Sequence, residues 1–401
     1  MRIVLITPIY ATTTKGSGAT PVVHYFTREW VKMGHSVKVY HFVPQFPKLF
    51  FRFAKLFQHQ LNTRLGMLVP TECPKDCDYV ADGVNVCCRG LRKLKPHSRY
   101  SRRQLDNAIR LIESDCEANG VPDVFIGHWD NPQLDILCAL KNRFHRPECL
   151  VLHNNKFHLE DIYGNQTREM LSQLDLVGFR NRTALIDYEA KYGKPRSSFI
   201  AYSGVSQAFL DAGESLHKTF EQSVHRFVFV GSLIARKFPR LIVQALNKVY
   251  PDSNYKMTYI GDGAERDMIE KDLAQMSIKG EVLFTGRIPR EQIIDHLRDS
   301  DVFVMISKAE IFGLVYLEAM ALGVIPVGSK NEGIDGIVQD GVNGFLCQAG
   351  NVDELCVILN RIREMDSEGL AVMSQKARET AQSFSDENVA QDYINALQQI
   401  N

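Results

Sequence analysis

Val302-Phe303-Val304-Met305-Ile306-Ser307-Lys308-Ala309-Glu310-Ile311-Phe312-Gly313-Leu314-Val315-Tyr316-Leu317-Glu318-Ala319-Met320-Ala321-Leu322-Gly323-Val324-Ile325-Pro326-Val327-Gly328 is the stretch on which the fold turns. Val302 to Ile306 is an uninterrupted apolar run, as expected of a strand covered by helices on both faces. A polar loop with one carboxylate follows, and a helix is expected to start near Phe312 to Gly313. Gly323 ends it, and Val324 to Gly328 resumes as strand. A helix that carries the chain from one strand to the next requires the two strands to be parallel.

Outward from this block the same grammar recurs. Phe227 to Gly231, Lys256 to Gly261 and Glu281 to Gly286 are apolar runs ending in glycine. In the first half Ile3 to Thr7 precedes a long polar loop and a helical pattern through Trp30, Val31 and Met33 that stops at Gly34. Ser36 to Tyr40 is again a strand, and Asp123 to Gly127 and Leu150 to His153 follow. A chain of 401 residues exceeds the size at which one core stops growing. The expectation is two doubly wound parallel α/β domains in tandem with a cleft. Periodicity is weakest between Ala201 and His225, which places a first domain at 1–205 and a second at 206–384. Residues 385–401 form a helix with Ser385 as N-cap and Asn388 in place of the usual capping-box acid, expected to return to the first domain.

Lys plus Arg and Asp plus Glu balance at 47 each, so no global field attracts nucleic acid. The first residues lack a secretory apolar run and no stretch is long enough to span a bilayer, so a cytoplasmic protein is expected. Nine cysteines, an odd number, point to reduced thiols. Cys73, Cys77, Cys87 and Cys88 cluster and raise the question of zinc. Adjacent cysteines chelate one tetrahedral ion poorly, and a hairpin of small apolar residues is the preferred reading.

The start of a helix after a strand and loop is a site for anions, because its first N–H groups have no intrahelical partner. Glu318 is expected roughly 8 to 9 Å inside that terminus. Glu310 and Glu318 then flank the place of a diphosphate. Carboxylates repel phosphate but accept from hydroxyls, so ribose and sugar are their natural partners. Arg236 and Lys237, in the loop after Val230-Gly231, suit a leaving diphosphate and can neutralise it without a metal. Singly, each feature is commonplace: paired glutamates recur on helices, and an Arg-Lys pair is usually a solvated turn. His128 and His153 follow strands, where a histidine is more often structural than catalytic. Asp299-Ser300-Asp301 has the spacing of a metal-binding pair, yet it lies at a helix end and is read as capping and packing.

Taken in order, these pieces resemble glycosyltransferase family 4. They are Val230-Gly231 with Lys237, Ile260-Gly261-Asp262-Gly263, Phe284-Thr285-Gly286, the block from Glu310 to Gly323, and Asp340-Gly341-Val342-Asn343-Gly344-Phe345. The resemblance spans nearly the whole chain and is strong from Phe227 to Gly350. It implies the GT-B fold, two doubly wound, Rossmann-like parallel-sheet domains facing a cleft. It also implies retaining transfer of a sugar from a nucleotide-sugar donor, UDP-sugar favoured and GDP-sugar the alternative, to a glycan or lipid-linked acceptor in bacterial polysaccharide or glycoconjugate synthesis. No cofactor, metal or nucleic acid is implied.

By the same resemblance Glu318 binds the ribose and Glu310 the donor sugar. Backbone amides from Phe312, Gly313, Leu314 and Val315 meet the phosphates, with Ile311 beside the sugar. Arg236 and Lys237 bind the diphosphate next to Gly231, and Gly286, Arg287 and Ile288 seat the base. In the first domain His128 faces the donor sugar, and Gly16 and Gly18 approach the donor. The sequence departs from the family pattern in three places. Ser232 stands where an arginine is frequent, Ile311 where a small residue is frequent, and Gly16-Ser17-Gly18 lacks adjacent glycines. A sugar-nucleotide 2-epimerase of the same fold and a non-catalytic sugar-nucleotide-binding subunit are the alternatives. A dinucleotide oxidoreductase is disfavoured, since no Gly-x-Gly-x-x-Gly follows the first strand.

Phe46 to Phe57 has one further pattern. At about 100° per residue Phe46, Leu49, Phe50, Phe53 and Phe57 share one side of a helix, with Lys48, Arg52 and Lys55 opposite. A phenylalanine stripe is the normal signature of core, and that is the preferred reading. The alternative is a helix lying in a membrane interface at the inner face of the cell membrane, assisted by Arg89, Arg92, Lys93, Lys95, Arg99, Arg102 and Arg103.

Overall fold

The computed structural model describes every residue except 12–20, 59, 62–71, 74, 94–97, 155–156, 215, 217, 221–223, 252–254, 277–279 and 401. Gly16, Gly18 and Lys95 therefore lie outside the described residues. The chain divides into two compact units. The first contains Met1–Gln58, Leu68–Ser203 and Asp386–Asn401, and the second is built on Gly204–Ser385. Among the described residues no helix is long and apolar enough to cross a membrane.

Unit 1 holds an eight-stranded sheet. Its strands are β1 (Arg2–Thr7), β2 (Ser36–Gln45), β3 (Cys77–Ala81), β4 (Val84–Arg92), β5 (Val124–His128), β6 (Glu148–Leu152), β7 (Leu176–Phe179) and β8 (Ser198–Ile200). The spatial order is β3-β4-β2-β1-β5-β6-β7-β8. Every pair is parallel except β3 with β4. Helices α1 (Val22–Lys32), α2 (Lys48–Leu56), α3 (Arg102–Asn119) and α4 (Gln133–Phe144) are among its crossovers. Leu105, Ala108 and Ile112 of α3 and Leu134, Leu137 and Leu140 of α4 recur at helical spacing. They bury against Phe42, Phe125 and Leu150 of the sheet. Each such leucine, isoleucine or phenylalanine contributes about 1.5 to 3 kcal/mol when removed from water.

The β3–β4 hairpin turns through Asp82 (φ 47°) and Gly83 (φ 80°), the paired positive φ that a two-residue hairpin turn requires. Cys77 stands directly across from Cys88. Cys87, one residue earlier, faces the other side of the sheet and joins the core. Burial pushes the Cys87 thiol up to about 11 and Cys88 to about 12. Because neighbours on a strand point to opposite faces, Cys87 and Cys88 cannot share a tetrahedral ion. Among the described residues no cluster of three or more His, Cys, Asp or Glu is arranged to hold one.

Helix α2 overturns the core reading of the phenylalanine stripe. Phe51 and Ala54 are its buried residues, while Leu49 is 75% exposed, Phe53 53%, Leu56 78% and Phe57 42%. Phe46 and Phe50 are half-buried. Only a narrow strip of the helix is buried, and the wider apolar side is exposed.

Unit 2 is a six-stranded, all-parallel sheet. Its strands are β9 (Arg226–Val230), β10 (Lys256–Ile260), β11 (Glu281–Gly286), β12 (Val302–Val304), β13 (Ile325–Ser329) and β14 (Phe345–Cys347). They lie in the order β11-β10-β9-β12-β13-β14. Helix α5 (Pro239–Val249) follows β9, α6 (Arg290–Arg298) follows β11 and α7 (Leu314–Ala321) follows β12. Pro239 opens α5 at its first position, where its missing N–H would have no partner and its fixed φ already suits a helix. Asp301 is buried and its carboxylate accepts from the Arg226 guanidinium at 2.6 and 3.0 Å, so the Asp299-Ser300-Asp301 run is packing.

Helix α8 (Asp386–Gln398) comes after all of unit 2 yet belongs to unit 1. There the Trp30 indole N–H donates to the Ala390 carbonyl at 3.1 Å, and Arg28 pairs with Asp386 at 2.9 Å.

Candidate active site

In unit 2 the chain lays down β9, β10 and β11 in one direction, then returns to place β12 on the other side of β9. That reversal opens a crevice outside the carboxyl ends of β9 and β12, where open α/β sheets bind ligands. Its rim is bare backbone. The Gly231 N–H donates to Ile260 O at 2.8 Å and the Gly261 N–H to Gly286 O at 2.8 Å. A Cβ on Gly261 would sit 2.0 Å from Gly231 O, so three strand ends are drawn together without side chains. Gly231 itself has φ 149°, and a Cβ there would come within 3.2 Å of Lys237 Nζ.

A single 3-10 turn, Ala235–Lys237, carries both cations. Arg236 Nη1 lies 3.3 Å from Glu310 Oε2, and Lys237 Nζ lies 3.1 Å from the same oxygen. The Lys308 N–H donates to Arg236 O at 2.7 Å, which staples the loop after β9 to the loop after β12. Glu310 is fixed by its backbone. Its N–H donates to Glu332 Oε2 at 2.8 Å, and its carbonyl accepts from the Gly333 N–H at 2.9 Å. Burial raises the Glu332 carboxyl above its ordinary range.

Helix α7 begins at Leu314, slightly later than the sequence suggests, because Gly313 takes φ 73° as its N-cap. A Cβ on Gly313 would meet the Tyr316 ring at 2.7 Å. The N–H groups of Leu314 and Val315 fall in the first turn, outside the intrahelical ladder. Ile311 is half-buried and Phe312 buried in the loop ahead of them. Glu318 is the fifth helical residue, about 6 Å along the axis from Leu314. It is 4% exposed and accepts from Arg290 Nε at 2.7 Å. Arg290 opens α6 directly after the Gly286-Arg287-Ile288-Pro289 turn, so that turn and Glu318 share one rim. Arg287 is exposed and Ile288 half-buried.

Gly231, Arg236, Lys237, Glu310 and the start of α7 thus converge on one crevice, with Gly286, Arg287, Ile288 and Glu318 along its edge. Sequence reasoning missed Arg290 and Glu332. Arg290 lies only three residues past Ile288-adjacent Arg287 and was within reach of the motif. Glu332 has no local spacing to Glu310 that would have flagged it.

His128 differs from the expectation. It lies inside unit 1 with 0% exposure. Nδ1 is 2.9 Å from His153 Nε2, and Nε2 is 3.2 Å from the Tyr393 hydroxyl of α8. Both ring nitrogens are engaged. Burial, aided by the Arg180 charge, holds both histidines well below the ordinary range. Trp129, at φ 66°, stacks on His153 with ring centres 3.8 Å apart and is the partly exposed residue of this turn.

Residues 217–380 match the family described as Glycosyl transferases group 1. N-acetyl-alpha-D-glucosaminyl L-malate synthase of Bacillus anthracis is 34% identical over 162 residues, which are 39% of this chain and 42% of that protein. The match therefore spans about two fifths of that relative's length. Among solved structures, sucrose-phosphate synthase from Thermosynechococcus elongatus has a TM-score of 0.69 at 17% identity, over 100% of this chain and 99% of that one. Anabaena HepE in complex with UDP has a TM-score of 0.67 at 18% identity, over 100% of both chains. The fold they share with this chain is GT-B, built of two parallel-sheet α/β domains.

Proposed function

We propose that this chain, whose residues 217–380 match the glycosyl transferases group 1 family, is a retaining, metal-independent glycosyltransferase. It takes a hexosyl group from a nucleotide-sugar, UDP-sugar in preference to GDP-sugar, and gives it to a glycan or lipid-linked acceptor. The observation that carries the reading is the meeting of Arg236 and Lys237 on one oxygen of Glu310, at the switch point of the sheet. Two cations beside the start of a helix suit a diphosphate. The UDP complex of HepE supports uridine as the donor base.

In this reading the diphosphate lies against the glycine rim. It draws Arg236 and Lys237 from Glu310 and receives the N–H groups of Leu314 and Val315. Glu310, relieved of its cations, turns to the sugar hydroxyls, while Glu318 takes the ribose and the Gly286-Arg287-Ile288 turn the base. The bond from the anomeric carbon to phosphate oxygen breaks as the acceptor oxygen bonds on the same face, and the acceptor proton passes to the leaving diphosphate. Charge develops on that diphosphate, and Arg236 and Lys237 stabilise it without a metal. His128 holds the turn that carries Trp129 and is a positioning residue. The exposed apolar side of α2 supports work at the inner, cytoplasmic face of a membrane, as a pathway of polysaccharide or glycoconjugate synthesis would require.

A panel of UDP- and GDP-sugars tests the reading. One UDP-sugar is expected to raise the unfolding temperature and to be turned over, with the product anomer, read by NMR, matching the donor. No stabilisation by any member refutes donor binding, and an inverted product refutes retention.

A further inference from the structure

Unit 1 contains a groove of about 1340 Å³ at the carboxyl ends of β2 and β4. We propose that this groove receives the acceptor, and that the acceptor is a lipid whose phosphate or diphosphate head is joined to a hydrocarbon chain. The proposal rests on the glycosyl-transfer reading and names the acceptor's chemistry.

Charge is the first reason. Lys48, Arg92, Lys93 and Arg103 line the groove, and among the described residues none of them is ion-paired. The other two lining arginines are spent elsewhere: Arg89 on Asp78 and Arg99 on Asp135. Asp76, the carboxylate on the wall, accepts from the Gly90 N–H at 2.8 Å. Four cations face one carboxylate, and Lys93 is half-buried, 4.6 Å from the Tyr100 ring centre. Like charges gathered around a cavity repel, and a bound phosphate offsets that repulsion. The first turn of α3 adds to it. Arg102 and Arg103 stand there with no acidic residue, against the helix dipole.

The second reason is the surface that leads out. Phe46, Pro47 and Leu91 line the groove beside the cations, and Phe46 packs on Phe50 at 4.8 Å between ring centres. Leu49, Phe53, Leu56 and Phe57 continue outward in the open. An exposed apolar patch that begins at a cationic pocket matches a ligand with a charged head and an apolar tail. A soluble sugar phosphate would use the head site and leave the patch uncovered. Position is the third reason. Ser98 lines the groove, and its carbonyl accepts from the Asn131 side-chain amide at 3.1 Å, so this wall adjoins the turn that follows His128 and Trp129 at the carboxyl end of β5.

The test is calorimetry on the full chain, with UDP saturating so that the donor crevice is filled. Farnesyl diphosphate below its micellar concentration is expected to bind at least tenfold more tightly than inorganic diphosphate or farnesol. The Arg92→Gln/Arg103→Gln variant should weaken farnesyl diphosphate and inorganic diphosphate about tenfold, with UDP affinity and unfolding temperature unchanged. Phe53→Ser/Leu56→Ser should weaken farnesyl diphosphate alone. Lys48→Gln gives an independent check on the charged wall. A protein that binds UDP yet ignores farnesyl diphosphate overturns the proposal and leaves the donor reading intact. Inorganic diphosphate binding as tightly as the lipid probe overturns the lipid source. Failure to bind any nucleotide or nucleotide-sugar falls on the transferase reading instead.

Discussion

Glu318→Ala removes a carboxylate with two jobs, and the structure allows them to be separated. Glu318 is 4% exposed and accepts from Arg290 Nε at 2.7 Å, while the Arg290 side chain retains 29% exposure. Breaking a fully buried ion pair costs about 3 to 5 kcal/mol. With one partner near solvent the expected loss of stability is smaller, about 1 to 3 kcal/mol. The second, proposed job is ribose binding, where a hydrogen bond to a charged group contributes about 1.5 to 3 kcal/mol. At about 1.4 kcal/mol per decade that is a 10- to 150-fold weaker Kd for UDP. Glu318→Ala/Arg290→Met should recover most of the stability, since it replaces both partners by apolar groups, but none of the affinity. Urea unfolding and calorimetry on both single variants and the double close the cycle. A double variant that regains UDP affinity would show that Glu318 acts only through Arg290, and the ribose assignment would fall.

Glu310→Ala frees Arg236 and Lys237, so UDP affinity should hold or rise while turnover drops; equal losses in both would remove Glu310 from the sugar. Turnover is expected to survive EDTA, and abolition of activity reversed by magnesium or manganese would show that the two cations do not suffice. Gly261→Ala places a Cβ 2.0 Å from Gly231 O at φ 133° and should cost about 2 kcal/mol or more in chemical denaturation, with weaker UDP binding; an unchanged midpoint would refute the tight glycine rim. His128 and His153 have folded pKa values well below the ordinary 6.5, so the unfolded chain takes up their protons first. Their contribution is complete above about pH 6.5 and is lost as pH falls, by up to about 1.4 kcal/mol per unit for each group. A urea midpoint that stays flat from pH 7 to pH 5 would contradict their burial as neutral rings.

The crevice of unit 2 was the more legible because its signals are local. An apolar run, a loop carboxylate and a helix start sit within Val302 to Gly323, and secondary structure alone brings them together. The rest needed distance. His128 is interior because Tyr393, 265 positions away, covers it, and no window of sequence contains both. Arg290 and Glu318 are 28 positions apart and meet only through the sheet order. Strands β7, β8 and β14 have four, three and three residues, too short for periodicity to register. On α2 the pattern was read correctly and its meaning reversed. Amphipathicity shows that a helix has an apolar side, whereas the breadth of its contact decides whether that side is covered.

Helix α8 also bears on the order in which the chain folds as it is made. Unit 1 is interrupted after Ser203, the whole of unit 2 is synthesised, and only then does Asp386 begin the helix that lays Tyr393 over His128 and accepts the Trp30 indole. Until that helix leaves the ribosome, Phe26, Trp30 and His128 lie on an unfinished surface, whereas Gly204–Ser385, the body of unit 2, is one contiguous stretch and can close first. The inner unit is expected to mature before the outer one, reversing the usual sequence from N-terminus to C-terminus. A nascent chain stalled short of Asp386 should therefore present a protease-resistant unit 2 beside a susceptible unit 1.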